Sequence, residues 1–206
     1  KFIDLPWALQ AEAQRATNKT KAARLMRLAI GIAIGLSAPV RRRNLVDLHL
    51  ERNISIRRKG RRVECYIHFD KSETKTREAL DFILNQDVTA LLLDYRDHFR
   101  PLLVSGDDQG WLFPGAKPGQ SITKEAFTDH LSKQVKKRLG IEFNCHLFRH
   151  LAAKIYLKSH PEDFATVQML LGHRQAQTTI DFYCKFDRDD ALARFDDAVF
   201  KRRDGK

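Results

Sequence analysis

Cysteine is scarce in this chain: Cys65, Cys145 and Cys184 are the whole supply in 206 residues. They are odd in number, far apart and without a CxxC pair, which argues against a disulfide framework and fits a reducing compartment. Long apolar runs are lacking too. The longest, LAIGIAIGLSAPV at residues 28–40, is too short to cross a bilayer. Basic residues precede it, as in a secretory leader. Residues 4–27 already have helical character, however, so the run reads as a buried helix. There are no internal repeats and no low-complexity segments. Acidic residues are outnumbered, 26 Asp and Glu against 37 Lys and Arg, for a formal net charge of +11. That balance leaves the fold open but favours a polyanionic partner, nucleic acid before a membrane surface.

What is present describes a globular protein. Hydrophobic residues make up 43% and charged residues 31%, enough to bury a core over one sizeable domain or two small ones. The chain starts at Lys1 and not at methionine, so it is expected to be part of a longer protein. Residues 4–17 read as a short helix with Pro6 near its start. Thr20 is a cap for a helix over 21–37, broken at Pro39. RRRNLVDLHL restarts helical periodicity with Leu45, Val46 and Leu48 inward. ISIRRK at 54–59 and RVECYIHF at 62–69 alternate about Gly60, the pattern of a hairpin. Residues 79–84 form a third strand beyond the polar loop KSETKT. Helices follow at 87–99, from a cap at Ser121 or Thr123 to about 139, at 146–157, from Pro161 to Gly172 and at 187–200, with a Pro/Gly-rich loop at 101–120. The fold class is therefore mainly α with a small antiparallel β-sheet (α+β).

Four clusters carry candidate chemistry. In HLFRH, His146, Arg149 and His150 share one helical face. A zinc pair at i, i+4 would need a general base and a third ligand; Leu147 stands where a metalloprotease has Glu, and no nearby cysteine or acidic cluster completes the site. A solvated basic turn and an anion pocket remain, the latter because Arg offers phosphate a planar fork and His a titratable partner. In LLGHRQAQTTIDFY, His173 follows a helix end, where it could equally satisfy free carbonyls, and Tyr183 lies ten residues on. In PVRRRNLVDL, Arg41, Arg42 and Arg43 cannot all face one way. In KSETKT, Lys71 and Lys75 stand in a hairpin loop.

Each cluster alone is ordinary. In this order, with HLFRH, LLGH and TTIDFY at these spacings, the chain resembles the tyrosine recombinase (phage integrase) family over essentially its whole length, as that family's catalytic domain. The resemblance implies one catalytic domain over residues 1–206, without the N-terminal helical core-binding domain that closes a clamp on DNA. It implies a site of Arg41, Lys75 (or Lys71), His146, Arg149, His173 and the nucleophile Tyr183. It also implies double-stranded DNA as partner, a homo-tetramer on paired sites, accessory DNA-bending proteins, a cytoplasmic, nucleoid-associated location, and no cofactor, metal or membrane. His150 would support the site from behind, and Leu151, Ile155 and Leu157 would hold its helix in the core. Two relatives in mechanism or fold stay open: a type IB topoisomerase-like relaxing enzyme and a DNA-binding protein without catalysis.

The sequence departs from the family in two places. Asn44 stands where the family often has an acidic residue. The interval from His173 to Tyr183 is one residue longer than is usual, with Phe182 at the usual place.

Overall fold

The structure is a computed structural model that describes residues 1–143, 146–161 and 163–171, without the side chains of His146 and Leu147. It divides into two compact units, Lys1–Ala153 and Lys154 onward. Gly172, His173, Tyr183 and the helix expected at 187–200 lie outside the described residues.

In the first unit, helix α1 (Leu5–Arg15) packs on α2 (Lys19–Ser37). The cap of α2 is Asn18 and not Thr20: its side-chain oxygen accepts from the Lys21 amide at 2.9 Å, the bond that a side chain three residues upstream makes well. Every residue of α2 from Leu25 to Gly35 is buried, as an apolar-all-round helix should be. Two aromatic rings close on its backbone. A β-carbon at Gly31 would lie 2.6 Å from the Phe127 ring, and one at Gly35 2.9 Å from the Phe148 ring.

A short α3 (Arg42–Val46) leads to a sheet of β1 (Ile54–Lys59), β2 (Arg62–Phe69) and β3 (Leu80–Leu84), antiparallel in the order β1-β2-β3. Ile54 pairs with Ile67, Lys59 with Arg62 and Cys65 with Leu84. Gly60, at φ +62°, supplies the left-handed turn residue of the first hairpin. Alternation puts Cys65, Ile67 and Phe69 of β2 in the core and leaves His68 half-exposed. Burial pushes the Cys65 thiol up to about 11.

Asn85 caps α4 (Gln86–Asp94), accepting from the Val88 amide at 2.9 Å. The regular helix expected to run to residue 99 instead widens into a π-helical turn, Tyr95–Phe99, and then a 3₁₀ turn, Arg100–Leu103. Pro101 lacks the amide that would continue the α ladder. Thr123, and not Ser121, caps α5 (Lys124–Leu139), which ends at Gly140 with φ +70°.

Helix α6 (His146–Ser159) begins in the first unit. Its buried residues are Phe148, Ala153 and Leu157, whereas Leu151 is half-buried and Ile155 is 39% exposed. Of the expected Leu151, Ile155 and Leu157, only Leu157 is buried, and Phe148, edge-on to Phe2 and Phe143, anchors the start of the helix.

In the second unit, α7 (Phe164–Leu171) is capped by Asp163, whose Oδ1 accepts from the Thr166 amide at 3.1 Å. Pro161 therefore precedes this helix and does not open it.

Candidate active site

Pro39 stops α2, and the chain re-enters a helix at Arg41, the extended N-cap residue of α3 (φ −68°, ψ 150°). Its carbonyl accepts from the Leu45 amide at 3.0 Å. Leu45, Val46 and Leu48 are at most 1% exposed, so apolar burial fixes this turn as the sequence implies. The helix is nevertheless one turn long and not the ten-residue element that the periodicity suggests. Residues 48–50 are drawn into an isolated antiparallel bridge with residues 110–112, Leu112 N to Leu48 O and Leu50 N to Gly110 O, both at 2.8 Å.

The three arginines divide. Arg42 donates to Thr128 Oγ1 at 3.4 Å and lies 3.9 Å from Glu125; Arg43 pairs with Asp47 at 3.5 Å. Arg41, half-exposed, has no hydrogen bond or ion pair with any described residue.

From α6, Arg149 donates through Nη1 to the Pro39 carbonyl at 2.8 Å, two residues before Arg41. His150 is half-buried, and His146 opens the helix.

The loop between β2 and β3 carries Lys71 and Lys75, both exposed, and neither ammonium has a hydrogen bond or ion pair with a described residue. Around them the loop is bound closely. Thr74 is 5% exposed, and its hydroxyl donates to the Glu78 carbonyl at 2.7 Å. The Arg77 amide donates to the Thr74 carbonyl at 3.2 Å, with Arg77 itself at φ +56°. Asn44 of α3 donates to the Glu73 carbonyl at 2.9 Å. The Glu73 carboxylate accepts from the Asp70 amide at 2.9 Å and from Asn53 Nδ2 at 3.1 Å. Asn53, 2% exposed, also donates to the His68 carbonyl and accepts from the His49 amide.

The structure therefore brings together the arginine turn at 41, the lysine loop at 75 and Arg149, while His173 and Tyr183 lie outside the described residues. Asn53 and Glu73 escaped the sequence reading. They are polar residues near loops, and their partners are remote in sequence.

The three other tyrosines are all committed. Tyr66 donates to Glu64 at 2.6 Å, Tyr95 to the Leu112 carbonyl at 3.0 Å and Tyr156 to Asp163 at 2.6 Å. The hydrogen bond to a carboxylate raises the pKa of Tyr66 and Tyr156, and burial raises that of Tyr95. Among the described residues there is no group of His, Cys, Asp and Glu suited to a metal ion, and no helix long and apolar enough to cross a membrane.

A mainly helical body with one three-stranded antiparallel sheet, whose β2–β3 loop bears lysine beside an arginine turn, is the catalytic-domain fold of the tyrosine recombinases. The chain belongs to the phage integrase family, whose model matches residues 8–189. Among curated relatives it is 34% identical over 99 residues to the tyrosine recombinase XerD of Yersinia pestis, covering 47% of this chain and 32% of that protein. It is also 34% identical over 98 residues to a putative integrase/recombinase, y4qK, of Sinorhizobium fredii, covering 47% of this chain and 29% of that one.

The fold is shared with XerH site-specific recombinase in a post-cleavage complex with a palindromic difH substrate. The TM-score is 0.66 at 18% identity, over 96% of this chain and 51% of that one. XerA recombinase matches at a TM-score of 0.54 and 19% identity, over 85% of this chain and 56% of that one. The chain thus spans about half the length of these structural relatives, and the matched stretch about a third of the curated ones.

Proposed function

We propose that this chain is the catalytic domain of a site-specific DNA recombinase that cuts and rejoins strands through a 3′-phosphotyrosyl intermediate. The observation that carries the reading is the pair of hydrogen bonds, Arg149 to Pro39 and Asn44 to Glu73, which tie Arg149, the Arg41 turn and the Lys75 loop into one first-unit cluster. An Arg41 with no hydrogen bond or ion pair among the described residues, near an Arg149 bonded to Pro39, suits a site whose ligand is an anion arriving from solution.

In this reading the Tyr183 oxygen attacks a DNA phosphorus, forming the 3′ phosphotyrosyl bond as the bond to the 5′ oxygen breaks. Negative charge develops on the non-bridging oxygens, where Arg41 and Arg149 bind by charge-assisted hydrogen bonds and His173 donates. A phenol titrates near pH 10, so it reacts poorly until its proton leaves, and His146 accepts that proton. Lys75, with Lys71 as the alternative on the same loop, gives a proton to the departing 5′ oxygen. The ester bond is conserved, so a second 5′ hydroxyl can reverse the step with neither ATP nor a metal. Tyr66, Tyr95 and Tyr156 already donate their hydroxyls within the protein, which favours Tyr183 as the nucleophile. The working unit on paired DNA sites is a tetramer, with integration, excision or resolution as its outcome.

Covalent trapping tests this. The protein is mixed with nicked duplexes from its own genomic surroundings and run on a denaturing gel. A DNA-linked band that is lost in Tyr183→Phe is expected. DNA binding without any band would replace the proposal with a non-catalytic DNA-binding protein. Relaxation of supercoiled DNA without strand exchange between sites would replace it with a topoisomerase.

A further inference from the structure

Asn44 does something that an acidic residue at its position could not. It is 8% exposed, one helical turn after Arg41, and its amide nitrogen donates to a backbone carbonyl, that of Glu73. A carboxylate has no hydrogen to give and would face that carbonyl with like partial charge.

Glu73 is in turn held by its side chain, through the Asp70 amide and the buried Asn53 amide, so the acceptor carbonyl is fixed from both sides. The next residue, Thr74, is buried and bonded to Glu78; the one after it is Lys75. The Lys75 ammonium has no hydrogen bond or ion pair with a described residue, so the backbone on which it stands sets where the ammonium can reach. A cleft of about 240 Å³ lies against the Asn44–Glu73 bond, bordered by Arg43, Asp47, Arg52 and Trp111. A loop released from Asn44 has room to move.

We propose that Asn44 is a positioning residue for Lys75, with Glu73 and Asn53 as its support. The amide-to-carbonyl bond sets the lysine loop relative to the turn that carries Arg41, so that proton donor and phosphate ligand meet the same phosphodiester. This rests on the reading that Lys75 protonates the leaving oxygen.

The test separates the two ideas. The duplex captured in the covalent assay is remade with sulfur in place of the bridging 5′ oxygen at the cut. A thiolate leaves without needing a proton, so a defect confined to proton donation disappears on this substrate. Cleavage rates are measured for wild type, Lys75→Ala, Lys71→Ala, Arg41→Ala and Asn44→Asp, which keeps the side-chain shape and removes the donor. Glu73→Gln, a weaker perturbation of the same support, is the second variant should Asn44→Asp fail to fold.

On ordinary DNA, Asn44→Asp is expected to cleave at least about tenfold more slowly, a part of the range over which general acids contribute. On the sulfur substrate it should approach wild type, as Lys75→Ala does, while Arg41→Ala stays slow on both. Rescue of Lys75→Ala with no rescue of Asn44→Asp and Glu73→Gln overturns the positioning role and leaves the proposed function intact. So does an Asn44→Asp rate equal to wild type on ordinary DNA. If Lys75→Ala is not rescued, Lys75 is not the proton donor and the inference falls with that assignment; rescue of Lys71→Ala instead transfers the role to Lys71.

Discussion

His68 stands at the base of the β2–β3 loop with a carboxylate on either side, Asp81 at 2.7 Å from Nδ1 and Asp70 at 3.2 Å from Nε2. The hydrogen bond to Asp81, then that to Asp70, raises its pKa above the ordinary value near 6.5. A histidine raised in the folded state stabilises the fold fully below its unfolded pKa, and the contribution is lost as pH rises through the folded one. The side chain is 44% exposed, so solvent screening keeps that contribution small. In an NMR titration His68 should show a midpoint above 6.5, and Asp81→Asn should bring it back down. A midpoint unmoved by that substitution would mean that the pair does not form in solution.

At this scale some of the site was legible and some was not. The resemblance to the family pointed to Arg41; Arg42 and Arg43 have partners of their own, Thr128 and Asp47. The Asn44–Glu73–Asn53 support could not be read, because each bond joins residues 20 or more apart and nothing local marks a buried amide. His173 and Tyr183 rest on the sequence alone.

Elements were read best where capping chemistry and apolar period agree. Thr123, one of the two caps expected, opens α5 through its side-chain oxygen, whereas Asn85 and Asp163 open α4 and α7 in the same way without having been expected as caps. The reading failed where tertiary pairing overrides local preference, as in α3, cut short by the bridge to residues 110–112. It failed also at Tyr95–Phe99, where no sequence period distinguishes a π turn from an α turn.

The close approaches to α2 were likewise invisible, since a glycine in a helix looks like a weakness until the ring above it is seen. Gly31→Ala would gain about 1 kcal/mol of helix propensity. It would also drive a β-carbon to 2.6 Å from a Phe127 ring that is itself fully buried. Overpacking of this kind costs about 1–3 kcal/mol, so the variant should melt lower. Phe127→Leu in the same chain should restore part of the loss. A Gly31→Ala protein that melts higher than wild type would show that the ring can yield.

For the whole molecule, the excess of basic over acidic residues is the property that would most directly set affinity for the proposed DNA partner. Each phosphate neutralised by a cation contributes about −0.9 to the slope of log affinity against log salt. A chain of net charge +11 that binds duplex mainly by phosphate contacts should lose at least about 10³-fold in affinity between 50 and 200 mM salt. Fluorescence anisotropy with a labelled duplex measures this directly. A flat salt dependence would mean that the positive charge is not the binding surface.

The buried thiol in the middle of β2 gives the molecule a clock. With no exposed surface and its proton held to about pH 11, Cys65 cannot be alkylated while the sheet is closed. Each modification event at that sulfur therefore counts one opening of the three-stranded sheet, and its rate, followed residue by residue in a mass spectrometer, times the breathing of the strand that ends at the lysine loop.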